Sequence, residues 1–168
     1  MALQSQVYQT LAAAIPGMPG SVIEAHYTAP TFIGTAAITV GNFVFADATD
    51  PDKIAPSGTG MVRGLAIFTR AYVGTTNAAS TVIPKGQPVT VATNGKFWVN
   101  CTNANAAVGD YVFASQTDGS VSTAAANTAQ SGKTMTNFRV EKVLGTAANS
   151  LILISNQSAA VTQSGASA

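Results

Sequence analysis

The chain has 168 residues, 46% of them hydrophobic, so it is long and apolar enough for one domain with a sizeable core. Its 8 Lys+Arg and 7 Asp+Glu give a net charge of +1 with no basic stripe, which argues against nucleic acid as a partner. One cysteine excludes an internal disulfide framework, and no stretch reaches the ~18 apolar residues of a membrane helix.

Residues 1–30 read as an extended N-terminal arm. Ile15-Pro16-Gly17-Met18-Pro19-Gly20 cannot be helix or central strand, because proline fixes its own φ and lacks an N–H. Tyr8, Leu11, Ile15 and Met18 are its apolar anchors. The arm either stays a loose terminus or orders on a neighbouring molecule. No Lys or Arg precedes Lys53, so the start lacks the charged region of a signal peptide, and synthesis in a host cytoplasm is expected.

A β region begins near Thr31, with short strands expected over 32–33, 37–40 and 42–46. The third carries a phrase that occurs twice. Val40-Gly41-Asn42-Phe43-Val44-Phe45-Ala46-Asp47 returns as Val108-Gly109-Asp110-Tyr111-Val112-Phe113-Ala114-Ser115. Glycine followed by Asn or Asp turns the chain, and the aromatic–valine–aromatic run then extends it. Such a repeat is architecture, not chemistry, and suggests a duplicated scaffold unit. Residues 47–60 read as loop and 61–73 as one bent strand or two short ones.

Asn94-Gly95 lies between alternating runs at 89–93 and 96–100. This predicts a two-residue hairpin with Val91 opposite Trp98. Apolar residues on both of its faces call for packing on each side. Asp118-Gly119 predicts a second hairpin joining 111–116 to 121–123. Residues 124–135 read as a polar loop, 138–144 and 151–154 as closing strands, and 156–168 as a flexible C-terminal tail. The fold class expected is all-β: a compact antiparallel β-barrel or jelly-roll-like sandwich of roughly nine to ten short strands over 31–155, with the extended N-terminal arm.

Catalytic chemistry is poorly supplied. A nucleophile needs a base beside it, and the one histidine, His26, lies in the arm. Cys101 reads as a small half-buried side chain. Asp47, Asp50 and Asp52 share a loop but lack the spacing of a calcium loop, so a solvated loop is expected. Ser131-Gly132-Lys133-Thr134 resembles the tail of a phosphate-binding loop without its leading glycine. No cofactor, metal or catalytic residue is expected.

The order of features resembles the structural cement (capsid decoration) proteins of tailed bacteriophages. The matching stretches are the Pro-Gly-Met-Pro-Gly arm, Ile38 to Asp47, Ile83-Pro-Lys-Gly86, the Asn94-Gly95 region with Phe97-Trp98-Val99, Val108 to Ser115, Thr117 to Val121, Phe138-Arg-Val140 and Leu151 to Asn156. The resemblance implies a non-enzymatic virion protein on the outer capsid surface. Its implied partners are the major capsid protein and further copies of itself as homodimer or homotrimer, with no nucleic acid and no membrane. The longer Ala/Thr-rich stretches at 78–81 and 122–130 depart from the pattern. With charged residues at only 9%, the surface suits an assembled protein. Tyr8, Leu11, Ile15, Pro16, Met18 and Pro19 of the arm, and Trp98, are the expected partner contacts. The alternative reading is a glycan- or receptor-binding β domain of a phage fibre or bacterial surface protein.

Overall fold

The two copies of the repeated phrase fold alike, in two separate barrels. The computed structural model describes residues 14–20, 31–67, 81–125 and 129–156, and these contain twelve strands and no helix. The strands are β1 (Thr31–Gly34), β2 (Ile38–Thr39), β3 (Phe43–Ala46), β4 (Lys53–Ala55), β5 (Val62–Ala66) and β6 (Val82–Ile83). They continue as β7 (Pro88–Ala92), β8 (Lys96–Cys101), β9 (Tyr111–Ser115), β10 (Val121–Ala124), β11 (Lys133–Val143) and β12 (Ser150–Ser155).

The first barrel closes in the order β1-β4-β3-β5-β7, the second in the order β8-β10-β9-β11-β12. Position by position these are the same circuit. In each, a hairpin (β3–β4 or β9–β10) lies inside the ring, and its second strand runs parallel to the first strand of the barrel. All other pairs within the barrels are antiparallel. Only the small sheet of β2 and β6, which lies outside the barrels, has no counterpart.

The repeated phrase sets up this equivalence through one local device. Asn42 N–H donates to Thr39 O and Asp110 N–H to Ala107 O, both at 3.2 Å. The third residues of these turns, Gly41 and Gly109, sit at φ 87° and 92°, the left-handed conformation that a type II turn demands. Each turn is then laced to the fourth strand of its barrel, β5 or β11. Gly41 N–H donates to Ala66 O and Ala66 N–H to Asn42 O, at 2.8 and 2.9 Å. Gly109 N–H donates to Val140 O and Val140 N–H to Asp110 O, at 2.8 and 3.0 Å.

Alternation along β3 and β5 divides the core into two clusters. Val44 and Ala66 pack with Val40, Ile54, Val89 and Val91, and with Ile38 and Ile83 of the small sheet. Phe43, Phe45, Leu65 and Ile67 join Phe97, Val99, Phe138, Ile152 and Ile154 of the second barrel. The second cluster is therefore the joint between barrels as well as a barrel interior. Phe43 and Phe138 meet across it with ring centroids 5.7 Å apart, tilted by 56°. Each buried phenylalanine contributes about 1.5–3 kcal/mol of transfer free energy.

The Asn94-Gly95 expectation is overturned. β7 pairs with β1 and β5, whereas β8 pairs with β12 and β10. Val91 lies opposite Ala66, and Trp98 opposite Leu153. The dipeptide is the crossing from one barrel to the other. Asn156 replaces the missing hairpin bonds: its Oδ1 accepts from Gly95 N–H at 2.8 Å, and its Nδ2 donates to Thr93 O at 2.9 Å. The Asp118-Gly119 hairpin is present, with Ala114 opposite Val121. Three further differences come from long-range pairing. β4 lies within the expected loop 47–60, β6 forms against β2, and β11 begins at Lys133, drawn out of the expected polar loop by β9.

Candidate functional site

Ile15 to Met18 form a turn in which Met18 N–H donates to Ile15 O at 3.2 Å. Pro16 supplies the fixed φ of the second position, and Gly17, at φ 81°, supplies the third. The chain then runs along β8 as an added strand. Gly17 N–H donates to Trp98 O at 2.7 Å, Trp98 N–H to Met18 O at 3.0 Å, and Gly20 N–H to Lys96 O at 2.7 Å. Pro19 bridges to Phe97. β10 meets β8 only at Cys101, so this segment covers the edge that β10 leaves bare.

The segment also touches the first barrel. A Cβ on Gly41 would lie 2.7 Å from Pro16 Cβ, so the proline ring sits directly on the turn of the first repeat copy. Gly109, at the equivalent turn, has nothing within 4 Å of such a Cβ, and its neighbour Val108 is 68% exposed. Pro16 and Gly17 thus strap the two barrels together. Ile15 and Met18 turn outward, 41% and 39% exposed.

Five of the sequence-predicted contact residues, Ile15, Pro16, Met18, Pro19 and Trp98, are thereby gathered in one place, although Trp98 lies about 80 positions along the chain. Tyr8 and Leu11 lie outside the described residues, as does His26. Trp98 is half-buried on the face of β8 opposite Phe97 and Val99, with Leu153 as its cross-strand neighbour. Leu151 lies beside Asn100 on the same face, and Leu144 N–H donates to Leu151 O, which carries the apolar face to an exposed leucine. Lys96 Nζ and Glu141 Oε1, 2.8 Å apart, form its charged rim.

A second feature was invisible in the sequence. A groove of about 410 Å³ runs between the barrels, lined by Met61–Gly64, Thr134–Phe138, Phe43 and Thr93. Met61 and Met135, 60% and 47% exposed, are on its walls. Only the closure of both barrels brings these two distant stretches together. The one available signal was a methionine at the polar start of each of two equivalent strands.

The remaining candidates carry no chemistry. Asp47 Oδ1 accepts from Thr49 N–H, Thr49 Oγ1 and Asp50 N–H, and Asp50 pairs with Lys53 at 2.9 Å. The Thr49 hydroxyl bond holds the Asp47 carboxyl below its ordinary value of 3.8, and Lys53 does the same for Asp50. Asp47 Oδ1 and both Asp50 oxygens hold the loop's geometry, and among the described residues no cluster of His, Cys, Asp or Glu is placed to hold a metal ion. Cys101 is fully buried, with Sγ donating to Asn103 Oδ1 at 3.2 Å. Lys133 and Thr134 are strand residues paired with Ser115 and Ala114, not a loop leading into a helix, so they form no phosphate cradle.

A scaffold with turn-built surfaces and no reactive cluster matches one family model along almost its whole length. The model is described as structural cement protein (E217 gp24/Pam3 gp6), and it aligns with residues 3–156. The chain belongs to the phage structural cement protein family. It is therefore a non-enzymatic capsid component. Among solved structures, a chain of the capsid of the Myoviridae phage XM1 is similar with a TM-score of 0.64 at 19% identity, covering 93% of this chain and 98% of that one. A looser likeness, TM-score 0.43 at 12% identity, joins 77% of this cement-family chain to 92% of the head fibre gp8.5 N base of bacteriophage phi29. No curated protein sequence matches.

Proposed function

We propose that this chain sits on the outer surface of the phage capsid and cements neighbouring major capsid protein subunits, holding the shell against the pressure of packed DNA. The family match over residues 3–156 carries this reading. The exposed Ile15–Met18 turn and the adjoining Trp98 face provide the apolar contact area, with Tyr8 and Leu11 of the preceding arm extending it.

The doubled barrel supplies stiffness. The joint between its halves is a single close-packed hydrophobic cluster, and such packing resists relative motion of the two. Residues 1–30 serve as arm and 31–156 as body, with Asn156 its last fixed residue. Many copies on one lattice gain avidity, so each contact needs only modest affinity, and self-association into a dimer or trimer adds to it. The protein uses neither nucleic acid nor membrane as partner. No helix among the described residues is long and apolar enough to cross a bilayer.

Adding the purified protein back to shells that lack it tests the reading. Saturable binding that raises the temperature of DNA release supports it. Binding without any gain in shell stability leaves a decoration protein that does not cement, and contradicts it.

A further inference from the structure

We infer that Asn94 is a latent deamidation site in the crossing between the barrels, and that Asn156 keeps it closed. Asn94-Gly95 is the only Asn-Gly pair in the chain. Such a pair is chemically labile, because glycine has no side chain to hinder attack of its nitrogen on the neighbouring carboxamide. Once the Gly95 N–H has lost its proton, the nitrogen bonds to Asn94 Cγ, the Cγ–Nδ2 bond breaks, and ammonia leaves. Water then opens the cyclic imide at either carbonyl, giving aspartate or isoaspartate. The product places a carboxylate at the crossing and, in the isoaspartate form, a further carbon in its backbone.

The fold leaves the carboxamide free and withholds the nucleophile. Asn94 is exposed, and among the described residues no hydrogen bond holds its side chain. Gly95 is buried, its N–H donates to Asn156 Oδ1 at 2.8 Å, and its carbonyl accepts from Asn156 N–H at 3.4 Å. Asn156 Nδ2 donates to Thr93 O at 2.9 Å, so one carboxamide holds the peptide groups on both sides of Asn94. An N–H committed to an acceptor is neither free to lose its proton nor free to turn toward Cγ. Asn156 is seated by the last pair of β12 with β8, Ser155 opposite Lys96, so the acceptor comes from 61 positions away. The only Asp-Gly pair, Asp118-Gly119, is held differently: Gly119 N–H donates to Ser115 O at 2.9 Å within its own hairpin. Release of the end of β12 therefore uncovers Gly95 and leaves Gly119 held.

The test is to age the full chain in mildly alkaline buffer and quantify aspartate and isoaspartate at each site by peptide mass spectrometry. Asn94 is expected to convert at least ~10-fold more slowly in the folded chain than in strong urea. Asn156→Ala is expected to speed conversion of the folded chain ~5-fold or more, while Asn156→Asp, which keeps an acceptor, stays within ~2-fold of the parent. Isoaspartate at Asp118 is expected to be unchanged in both variants. Should Asn156→Ala not fold, sub-denaturing urea on the parent serves instead: Gly95 amide exchange and Asn94 conversion are expected to accelerate together. Four results would each overturn the inference: folded parent converting as fast as in strong urea, Asn156→Ala no faster than the parent or no faster than Asn156→Asp, equal acceleration at Asn94 and Asp118, or faster Gly95 exchange without faster conversion.

Discussion

Phe43, which opens β3 within the first repeat copy, donates its N–H to the carbonyl of Gly119, in the turn that follows the second copy, at 2.8 Å. Asn42 Nδ2 donates to Asp118 O at 3.2 Å, and Gly58 N–H to Gln116 O at 2.9 Å. The tip of the β9–β10 hairpin is thus bonded to the first barrel at Asn42, Phe43 and Gly58. A Cβ at Gly119, which has φ +71°, would lie 1.9 Å from Phe43 O. Gly119→Ala is expected to cost ~3 kcal/mol or more in denaturant unfolding. Gly132→Ala, at φ +70° with nothing within 4 Å, meets only the left-handed strain and is expected to cost ~1 kcal/mol. Equal costs would mean that the hairpin tip is not a fixed part of the joint.

The crossing at Thr93–Gly95 depends on Asn156. Asn156→Ala removes both the acceptor for Gly95 N–H and the donor to Thr93 O. A loss of about 1–2 kcal/mol is expected, and about half of it for Asn156→Asp, which keeps the acceptor. Urea unfolding measures both. A neutral Asn156→Ala would show that the crossing holds itself.

Acid should act late on this protein. Asp47 and Asp50 titrate below the ordinary 3.8, held down first by the Thr49 hydroxyl and by Lys53 respectively. Burial pushes Asp118 up, but bonds from Ser120 and Ser115 outweigh it and leave its carboxyl lowered as well. Groups with lowered folded values add stability above the ordinary value and lose it as pH falls through the folded one. The urea midpoint is therefore expected to hold from about pH 7 to about pH 5 and to fall below about pH 4, less steeply in Asp118→Asn. A midpoint that already falls between pH 7 and 5 would point to another group.

The outward turn of the arm separates binding from folding. Ile15→Asp and Met18→Asp change exposed side chains and leave the backbone bonds to β8 in place. Stability is expected to stay within ~0.5 kcal/mol of the parent, while shell affinity falls ~10-fold or more. Deleting residues 1–20 instead bares the β8 edge and the Gly41 seat of Pro16, and is expected to lower stability as well. Unchanged affinity in both point variants would move the contact elsewhere.

What could be read from the chain and what could not follow from the range of the interactions. The Val-Gly-Asn/Asp phrase and the Asp118-Gly119 hairpin are written in neighbouring residues, because a left-handed glycine acts locally. Asn94-Gly95 misled because a hairpin also needs two strands with free facing edges, and β1, β5 and β12 take those edges from far along the chain. β4 and β6 are strands only because β3 and β2 pair with them. Of the candidate surface, Ile15, Met18 and Trp98 stood out as large apolar residues in a charge-poor chain. The groove did not, since Met61 and Met135 meet only once both barrels have closed.

The central claim is most directly tested by heating DNA-filled capsids, with and without this protein, and following DNA release by dye fluorescence. Cementing requires release several degrees higher with the protein bound, with most of that gain lost when Ile15→Asp or Met18→Asp replaces the parent chain. Identical release temperatures at full occupancy would contradict it.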